Sequence, residues 1–337
     1  MIASHLLEST AYALLASNKG LLAADESFPT IGKRFQALHI PSTEENRLAY
    51  RELLLTTPGL GEFISGVILF DETIRQKIGG VLIPEVLARL GLVCGIKVDK
   101  GTTALPGFPG EKMTQGLDGL RERLEEYHQL GARFTKWRAV IAIGEHRPAR
   151  ACIQANASAL ALFAALSLEA GLVPVVEPEI LMDGSHTLAR CEEVAQETLQ
   201  GVFARLLDYC VPLELIVLKT SMVLSGAECS EQAGTAEVAA ATLRCLRRAV
   251  PAAVPGIMFL SGGQSDQDAT QRLTAICAAG NAPWKLSFSF GRALQSPALN
   301  AWNGLPANRS AAQAALHERA RCNSLALHGD YLSNAPV

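Results

Sequence analysis

Eight short apolar segments, rich in Val, Ile, Leu and Phe, recur along the chain, and stretches of helix length rich in Ala, Leu and Glu separate them. Their starts lie roughly 30 to 45 residues apart, which suits a strand, a loop and a helix rather than a hairpin. Apolar runs of this kind are typical of parallel strands that are covered on both faces. The eight predicted strands span residues 20–26, 63–70, 93–100, 133–141, 173–180, 214–221, 255–263 and 284–292.

Eight such units favour closure into a barrel, because an open doubly wound sheet more often has about five to seven strands and a glycine-rich first turn. The turn after the first predicted strand contains ADESFPTIG and has no G-x-G-x-x-G motif, so a dinucleotide-binding fold is disfavoured. No Ser- or Pro-rich linker interrupts the pattern. We therefore predict an α/β fold, a TIM (β/α)8 barrel that forms a single domain over residues 1–337, with an N-terminal helix and a C-terminal extension.

Charge and composition exclude several classes of partner. The 30 Lys and Arg residues and 33 Asp and Glu residues leave a net charge of −3, which gives no global field for nucleic acid. The eight cysteines and seven histidines show no C-x-x-C, H-x-H or H-x-x-x-H spacing. We therefore expect no nucleic acid, no metal and no cofactor.

The first twenty residues carry Glu8 and lack a basic segment, unlike a signal peptide. The longest apolar stretch, residues 157–168, is shorter than the roughly twenty residues that a membrane span needs. We expect that stretch to be a buried helix, and the protein to be cytoplasmic with no membrane partner.

Charged residues lie inside or just after the predicted strands, near the ends where barrels of this class carry their chemistry. Residues two apart in a strand face the same side, so several charges converge if these faces point inward. Burying so many ions is costly unless they pair or bind something, so a purely structural role is disfavoured. The residues are Asp25, Glu26, Lys97, Asp99, Lys136, Arg138, Glu177, Glu179 and Lys219.

Structural alternatives remain open for these positions. A carboxylate after a strand can cap the next helix, as Asp25 and Glu26 can. A lysine at a strand end can extend into solvent, as Lys219 can. The two glutamates around Pro178 can begin a solvated loop, and Lys33–Arg34 can form the exposed face of a helix.

The last two predicted strands end in SGGQS (Ser261–Ser265) and in FGR (Phe290–Arg292). Glycines let backbone N–H groups approach an anion, and the loops after the seventh and eighth strands are the usual phosphate site of this fold. Arg292 adds a charge-assisted donor. The sequence thus indicates phosphate binding, although Gly262 and Gly263 can also simply form a tight turn.

Lys219 is a candidate nucleophile. Its amine must be neutral to attack a carbonyl, and burial or a second cation such as Lys136 lowers a lysine pKa from about 10.4. The iminium that forms acts as an electron sink for cleavage of the adjacent C–C bond. Asp25, Glu177 and Glu179 are available to transfer protons.

Ten motifs, in order along nearly the whole chain, resemble those of the class I, Schiff-base-forming fructose-1,6-bisphosphate aldolases. The resemblance implies metal-independent, reversible cleavage of the C3–C4 bond of fructose 1,6-bisphosphate in glycolysis and gluconeogenesis. The motifs are LLAADES (Leu21–Ser27), TEENR (Thr43–Arg47), GVILFDET (Gly66–Thr73), GIKVDKG (Gly95–Gly101), TQGLDGL (Thr114–Leu120), FTKWR (Phe134–Arg138), IGEH (Ile143–His146), VPVVEPEIL (Val173–Leu181), FLSGGQS (Phe259–Ser265) and SFGRALQ (Ser289–Gln295).

The resemblance also implies residue roles. Lys219 corresponds to the Schiff-base lysine and Lys136 to the cation beside it. Asp25 corresponds to the base for the C4 hydroxyl, Glu177 to the acid/base for carbinolamine dehydration, and Glu179 to a carboxylate that orients the lysine. For the C1 phosphate the matching residues are Ser261, Gly262, Gly291 and Arg292, and for the C6 phosphate they are Arg34, Lys97 and Arg138.

Three departures from the family pattern stand out. SFPT replaces the usual S-T-G-S, so Thr30 stands where a C6-phosphate serine is expected. Thr220–Ser221 replaces a common Pro-Asn after the reactive lysine. The chain ends in YLSNAPV (Tyr331–Val337), in which Tyr331 does not match the tyrosine that ends the long tail of vertebrate members, so enamine protonation is expected to be slower or to use another group.

The resemblance implies a homotetramer that binds a phosphorylated sugar. Three alternatives stay open at this point: another phosphosugar lyase or isomerase on the same barrel, a catalytically idle scaffold, and a metal-dependent aldolase. The histidine spacing disfavours the last of these.

Overall fold

Eight parallel strands form a closed barrel in which each strand pairs with the next along the chain and the last pairs with the first. The structure, a computed structural model, describes residues 2–331, without the side chains of residues 2–4. The predicted TIM barrel is confirmed. Its strands are β1 (Gly20–Ala24), β2 (Ile64–Leu69), β5 (Val93–Lys97), β8 (Phe134–Ile141), β9 (Val173–Ile180), β10 (Val217–Thr220), β11 (Gly256–Phe259) and β12 (Lys285–Phe290), and two hairpins pair β3 (Lys77–Ile78) with β4 (Val81–Leu82) and β6 (Thr102–Ala104) with β7 (Lys112–Thr114).

Helices surround the barrel and extend it at both ends of the described chain. The predicted N-terminal helix is α1 and the C-terminal extension is α12, whereas residues 332–337 of the tail lie outside the described residues. The helices are α1 (Ile2–Leu14), α2 (Phe28–Gln36), α3 (Glu44–Leu55), α4 (Asp71–Arg75), α5 (Ile83–Arg89), α6 (Leu120–Gln129), α7 (Arg150–Glu169), α8 (Leu188–Asp208), α9 (Thr235–Ala249), α10 (Asp266–Ala278), α11 (Arg292–Trp302) and α12 (Arg309–Ala326).

Most predicted strands extend past the observed ones at the carboxyl end. The first observed strand stops at Ala24, before the two carboxylates, because these polar residues belong to the loop that follows. Strand β9 is different, since it pairs with β8 along all eight residues and keeps Glu177 and Glu179 within the strand. The interpretation of Pro178 as the start of a loop is therefore wrong.

Helix α1 closes the amino-terminal end of the barrel. Its apolar face packs against side chains inside the barrel in one buried cluster, and the Ser65 hydroxyl at the start of β2 donates to the Leu14 carbonyl at 2.7 Å. This end of the interior is therefore filled by apolar side chains. The cluster contains Leu7, Ala11, Leu14 and Leu15 together with Leu21, Ala23, Ile68, Phe134, Val173, Val175, Val217 and Met258.

The apolar stretch 157–168 lies within α7, which packs on β8, β9 and α8 as a helix of the barrel's outer layer. Among the described residues α7 is the one helix whose length and composition would suffice to cross a membrane. More than half of the residues in the most apolar 18-residue segment of α7 are buried inside the protein, and helices in protein cores commonly have such a composition.

Candidate active site

A cleft of about 500 Å³ opens at the carboxyl ends of the strands. Seven basic and five acidic side chains line it, so the cleft is locally positive although the chain carries a net charge of −3. The structure brings all thirteen residues predicted as site residues into its lining. They are Asp25, Thr30, Arg34, Lys97, Lys136, Arg138, Glu177, Glu179, Lys219, Ser261, Gly262, Gly291 and Arg292.

Lys219 lies within β10 with its side chain only 4% exposed, and its Nζ is 3.2 Å from Oε1 of Glu177. The alternative in which this lysine extends into solvent is therefore wrong. Burial lowers the pKa of Lys219, and Lys136 lowers it further, while Glu177 opposes both effects. The net shift of the Lys219 pKa is downward, which favours the neutral amine that attack on a carbonyl requires.

Lys136 lies between two carboxylates. Its Nζ is 2.6 Å from Oδ2 of Asp25 and 3.2 Å from Oε2 of Glu177. Burial by itself would lower the pKa of Lys136, but Asp25 and Glu177 raise it well above its ordinary value. The two lysines that contact Glu177 thus have pKa values shifted in opposite directions. Lys136 stays a cation, while Lys219 is shifted toward the neutral form.

The two carboxylates are held in their ionised forms. Burial alone would raise the pKa of Asp25, but Lys136 and Lys219 hold it well below its usual range. Burial also acts to raise the pKa of Glu177, and the same two lysines lower it. Both groups are therefore present as carboxylates, the form that can act as a base.

Ser221 fastens the end of β10 to β9. Its Oγ accepts from the Ile180 backbone N–H at 3.0 Å and donates to the Ile180 carbonyl at 3.0 Å. Because β9 carries Glu177 and β10 carries Lys219, this link holds the carboxylate opposite the amine. The departure from the usual Pro-Asn therefore supplies a contact between the two strands.

Charged pairs on β5, β8 and β9 build the wall beside the lysines. Glu179 accepts from Nε of Arg138, so its ion-pair partner here is this arginine. Asp99 lies 2.6 Å from Lys97 Nζ and also accepts from the Arg138 backbone N–H at 3.3 Å. Asp99 therefore fixes the Lys97 ammonium and the backbone of Arg138, and its same-facing spacing from Lys97 signals the first of these contacts in the sequence.

The loops after β11 and β12 form one end of the cleft. Gly262 and Gly263 adopt φ of +58° and +103°, which side chains rarely tolerate, so the turn requires glycine. Gly291 precedes α11 and directs that helix N-terminus toward the cleft. Burial lowers the pKa of Arg292, and the neighbouring Arg34 lowers it further, so an anion bound here would relieve the repulsion.

Helix α2 forms the rim next to these loops, because β1 pairs with β12 in the barrel. Its N-cap is Ser27, with Pro29 in the first turn, where proline is well tolerated. Thr30 Oγ1 lies 3.2 Å from Ser27 Oγ. Glu26 pairs with Arg34 on this helix, and Asp25 pairs with a lysine as described above, so neither caps α2 and the capping interpretation is wrong.

Some residues of the cleft had no role assigned from the sequence. The sequence indicates Glu26 and Asp99 by their charge at a strand end, and Lys33 by its position beside Arg34. No group of three or more His, Cys, Asp or Glu residues in the described part of the chain has the arrangement of a metal site. The additional lining residues are Ala23, Glu26, Ser27, Lys33, Asp99, Gly101, Thr102, Val140 and Leu260.

Comparison with known proteins gives a consistent result. A family model described as glycolytic, fructose-bisphosphate aldolase class-I, matches residues 6–336. The chain is 55% identical over 327 residues to a probable fructose-bisphosphate aldolase class 1 of Xanthomonas campestris pv. campestris, covering 96% of this chain and 98% of that protein. It is 48% identical over 334 residues to the cytosolic fructose-bisphosphate aldolase 4 of Arabidopsis thaliana, covering 98% and 85% of the two chains.

Among solved structures, the chain resembles fructose-bisphosphate aldolase from Plasmodium falciparum, crystallised in a ternary complex with TRAP and a small-molecule inhibitor. The TM-score is 0.97 at 46% sequence identity, covering 99% of this chain and 97% of the other.

Proposed function

Because the chain belongs to the class I fructose-bisphosphate aldolase family and is an aldolase of the Schiff-base type, we propose that Lys219 is the lysine that forms the Schiff base. The observation that carries this assignment is the buried contact of Lys219 Nζ with Glu177 at 3.2 Å, with the Lys136 cation on the other oxygen of the same carboxylate. This arrangement favours the neutral amine and places a proton carrier beside it.

In the first stage, the neutral Lys219 amine adds to the C2 ketone and forms a carbinolamine. Glu177, within reach of the amine, takes the ammonium proton and passes it to the C2 oxygen, which becomes a hydroxyl. After Glu177 takes up one further proton from solvent, it protonates this hydroxyl, which leaves as water. The product is an iminium. Lys136 stays charged and stabilises the negative charge that develops on oxygen during these steps.

In the second stage, Asp25 accepts the C4 hydroxyl proton, and the electron pair of the C3–C4 bond moves into the iminium. Glyceraldehyde 3-phosphate leaves as the aldehyde, and the enamine remains on Lys219. Protonation at C3 and hydrolysis of the iminium release dihydroxyacetone phosphate and restore the amine. The ionised state in which Lys136 holds Asp25 suits this role as a base.

The basic residues of the cleft suit the two phosphates of the substrate. We assign the C1 phosphate to the glycine loops and the C6 phosphate to the side of the cleft formed by α2, β5 and β8. The C1 set is Ser261, Gly262, Gly291 and Arg292, and the C6 set is Thr30, Arg34, Lys97 and Arg138, while Glu179 orients the wall through Arg138.

We also propose that residues 1–337 form one domain, that the enzyme is a homotetramer, and that it acts in the cytoplasm. The continuous barrel supports the first point. The family resemblance supports the second, and the cytosolic relative from Arabidopsis thaliana supports the third.

Borohydride trapping tests the lysine assignment. The enzyme is incubated with dihydroxyacetone phosphate, reduced with borohydride, and digested for peptide mass analysis. We expect a reduced adduct on Lys219 and its loss in Lys219→Ala. The control Lys77→Ala removes an exposed lysine that does not line the cleft, and it should retain the adduct. An adduct on another lysine of the wild-type enzyme would overturn the assignment.

A further inference from the structure

Both carboxylate oxygens of Glu26 are occupied. Oε1 accepts from Arg34 and, at 2.8 Å, from the side-chain amide of Gln295, while Oε2 accepts from Arg51 at 2.5 Å. The Glu26 side chain is only 4% exposed. Glu26 is therefore a buried carboxylate between two guanidinium groups, at the rim of the cleft.

These partners come from three helices. Arg34 belongs to α2, Arg51 to α3 and Gln295 to α11. Gln295 is itself fixed, because its amide also donates to the Ala23 carbonyl at 2.5 Å and its oxygen accepts from the Tyr50 hydroxyl at 3.0 Å. The carboxylate thus has one defined position at the end of β1.

The two arginines have different surroundings. Arg34 lines the cleft and its side chain is 20% exposed, whereas Arg51 is 5% exposed and is not part of the lining. A single Arg34–Glu26 pair would be neutral and would attract an anion weakly. With Arg51 behind the carboxylate, the triad keeps one net positive charge on the side of the cleft.

We infer that Glu26 is a positioning residue for the distal phosphate: it holds the Arg34 guanidinium toward the cleft, while Arg51 balances the charge of the carboxylate. The inference rests on the proposed assignment of Arg34 to the C6 phosphate. A purely structural role of the triad predicts instead that its disruption lowers stability and affects all substrates alike.

The chain contains a matched ion pair for comparison. Arg47 on α3 donates to Glu72 with Nε 2.8 Å from Oε2, and the two side chains are 16% and 17% exposed. Neither residue lines the cleft. Glu72→Gln therefore removes a carboxylate that also anchors α3 through an arginine, but leaves Arg34 untouched.

The test compares fructose 1,6-bisphosphate with fructose 1-phosphate, which lacks the distal phosphate. For Glu26→Gln we expect kcat/KM for the bisphosphate to fall about 10- to 100-fold, mainly through KM, because Arg34 loses its fixed orientation. For fructose 1-phosphate we expect a loss of less than about threefold, and for Glu72→Gln a loss of less than about threefold with either substrate.

Glu26→Asp covers the case in which Glu26→Gln fails to fold, because aspartate keeps the negative charge between the two arginines while its shorter side chain draws the carboxylate back from Arg34. Glu26→Asp should also lower kcat/KM selectively for the bisphosphate, but by a smaller factor than Glu26→Gln. Equal losses on both substrates in folded variants, or no loss on either, would overturn the inference. If wild type and the Glu26 variants still trap dihydroxyacetone phosphate on Lys219, that result leaves the proposed function standing. If wild type does not, the proposed function fails and the inference with it.

Discussion

The two ends of the barrel are built from the same eight strands and contain opposite kinds of side chain. At the amino-terminal end, three apolar residues of α1 and the adjacent Leu15 pack against apolar side chains of the interior. At the carboxyl end, twelve charged residues line an open cleft. Buried apolar contacts stabilise the fold, whereas buried ions reduce stability unless they are fully paired. The comparison therefore assigns stability mainly to one end and chemistry to the other.

The largest expected effect is that of Lys219→Met. Without the amine there is no Schiff base, so kcat should fall by about 10,000-fold or more. Methionine fills a similar volume without a charge, so the variant should unfold at a Tm no lower than that of wild type. Steady-state kinetics and thermal unfolding of the same preparations measure both.

The stability gain of Lys219→Met should depend on pH. Burial lowers the pKa of Lys219 below its ordinary 10.5, so the unfolded chain binds a proton more readily than the folded one. The resulting loss of stability in wild type is complete below the folded pKa and disappears as pH rises past 10.5. The difference in Tm should therefore shrink at alkaline pH, and a difference that grows there would contradict the burial argument.

Lys136→Met should have the next largest effect. The cation that stabilises developing charge is lost, so kcat should fall about 100- to 1000-fold. Lys136 also lowers the pKa of Lys219, and its removal leaves Glu177 and Asp25 to raise it. The acid limb of the pH profile of kcat/KM should therefore move to higher pH, whereas Lys136→Arg, which keeps a cation, should move it less. A limb that stays in place in Lys136→Met would show that another group controls it.

Leu14→Ala tests the opposite end. Leu14 is fully buried between α1 and the barrel interior, and its truncation should lower the free energy of unfolding by about 2–5 kcal/mol. Kinetic constants at a temperature where the variant is folded should stay within about twofold of wild type. Leu6→Ala is the control, because Leu6 on the same helix is 67% exposed and should change neither quantity. A large loss of kcat in folded Leu14→Ala would mean that the two ends are coupled.

The sequence predicts the two ends unequally well. The eight barrel strands are visible because long apolar runs are required wherever a parallel strand is covered on both faces. The hairpins β3–β4 and β6–β7 are not, since each strand has two or three residues and no run to detect. The N-terminal helix is predicted. Its position across the amino-terminal end of the barrel is not, because that depends on packing between segments far apart in the chain.

The site is predicted where its residues lie on strands. Charges in apolar strands point to the cleft because the strand register brings them together, as for Arg138 beside Glu177. Arg51 has no such signal, because it is an ordinary basic residue of a helix until the fold brings it to Glu26. The family resemblance implies a role for Glu179 at the lysine, whereas its pairing with Arg138 is visible only in the side-chain geometry.

Ser221→Ala should have the smallest effect and makes the most direct comparison of the two ends. Its hydroxyl bonds the Ile180 backbone at the cleft end, so its loss should lower the free energy of unfolding by about 1 kcal/mol and reduce kcat a few-fold as Glu177 loses its fixed place opposite Lys219. Ser65→Ala is the matched variant at the other end, where the hydroxyl lies 2.7 Å from the Leu14 carbonyl and 3.1 Å from that of Gly20. It should cost a similar free energy and leave kcat unchanged, because no reacting group depends on it. Equal kcat values for the two variants would show that the link between β9 and β10 contributes to stability alone.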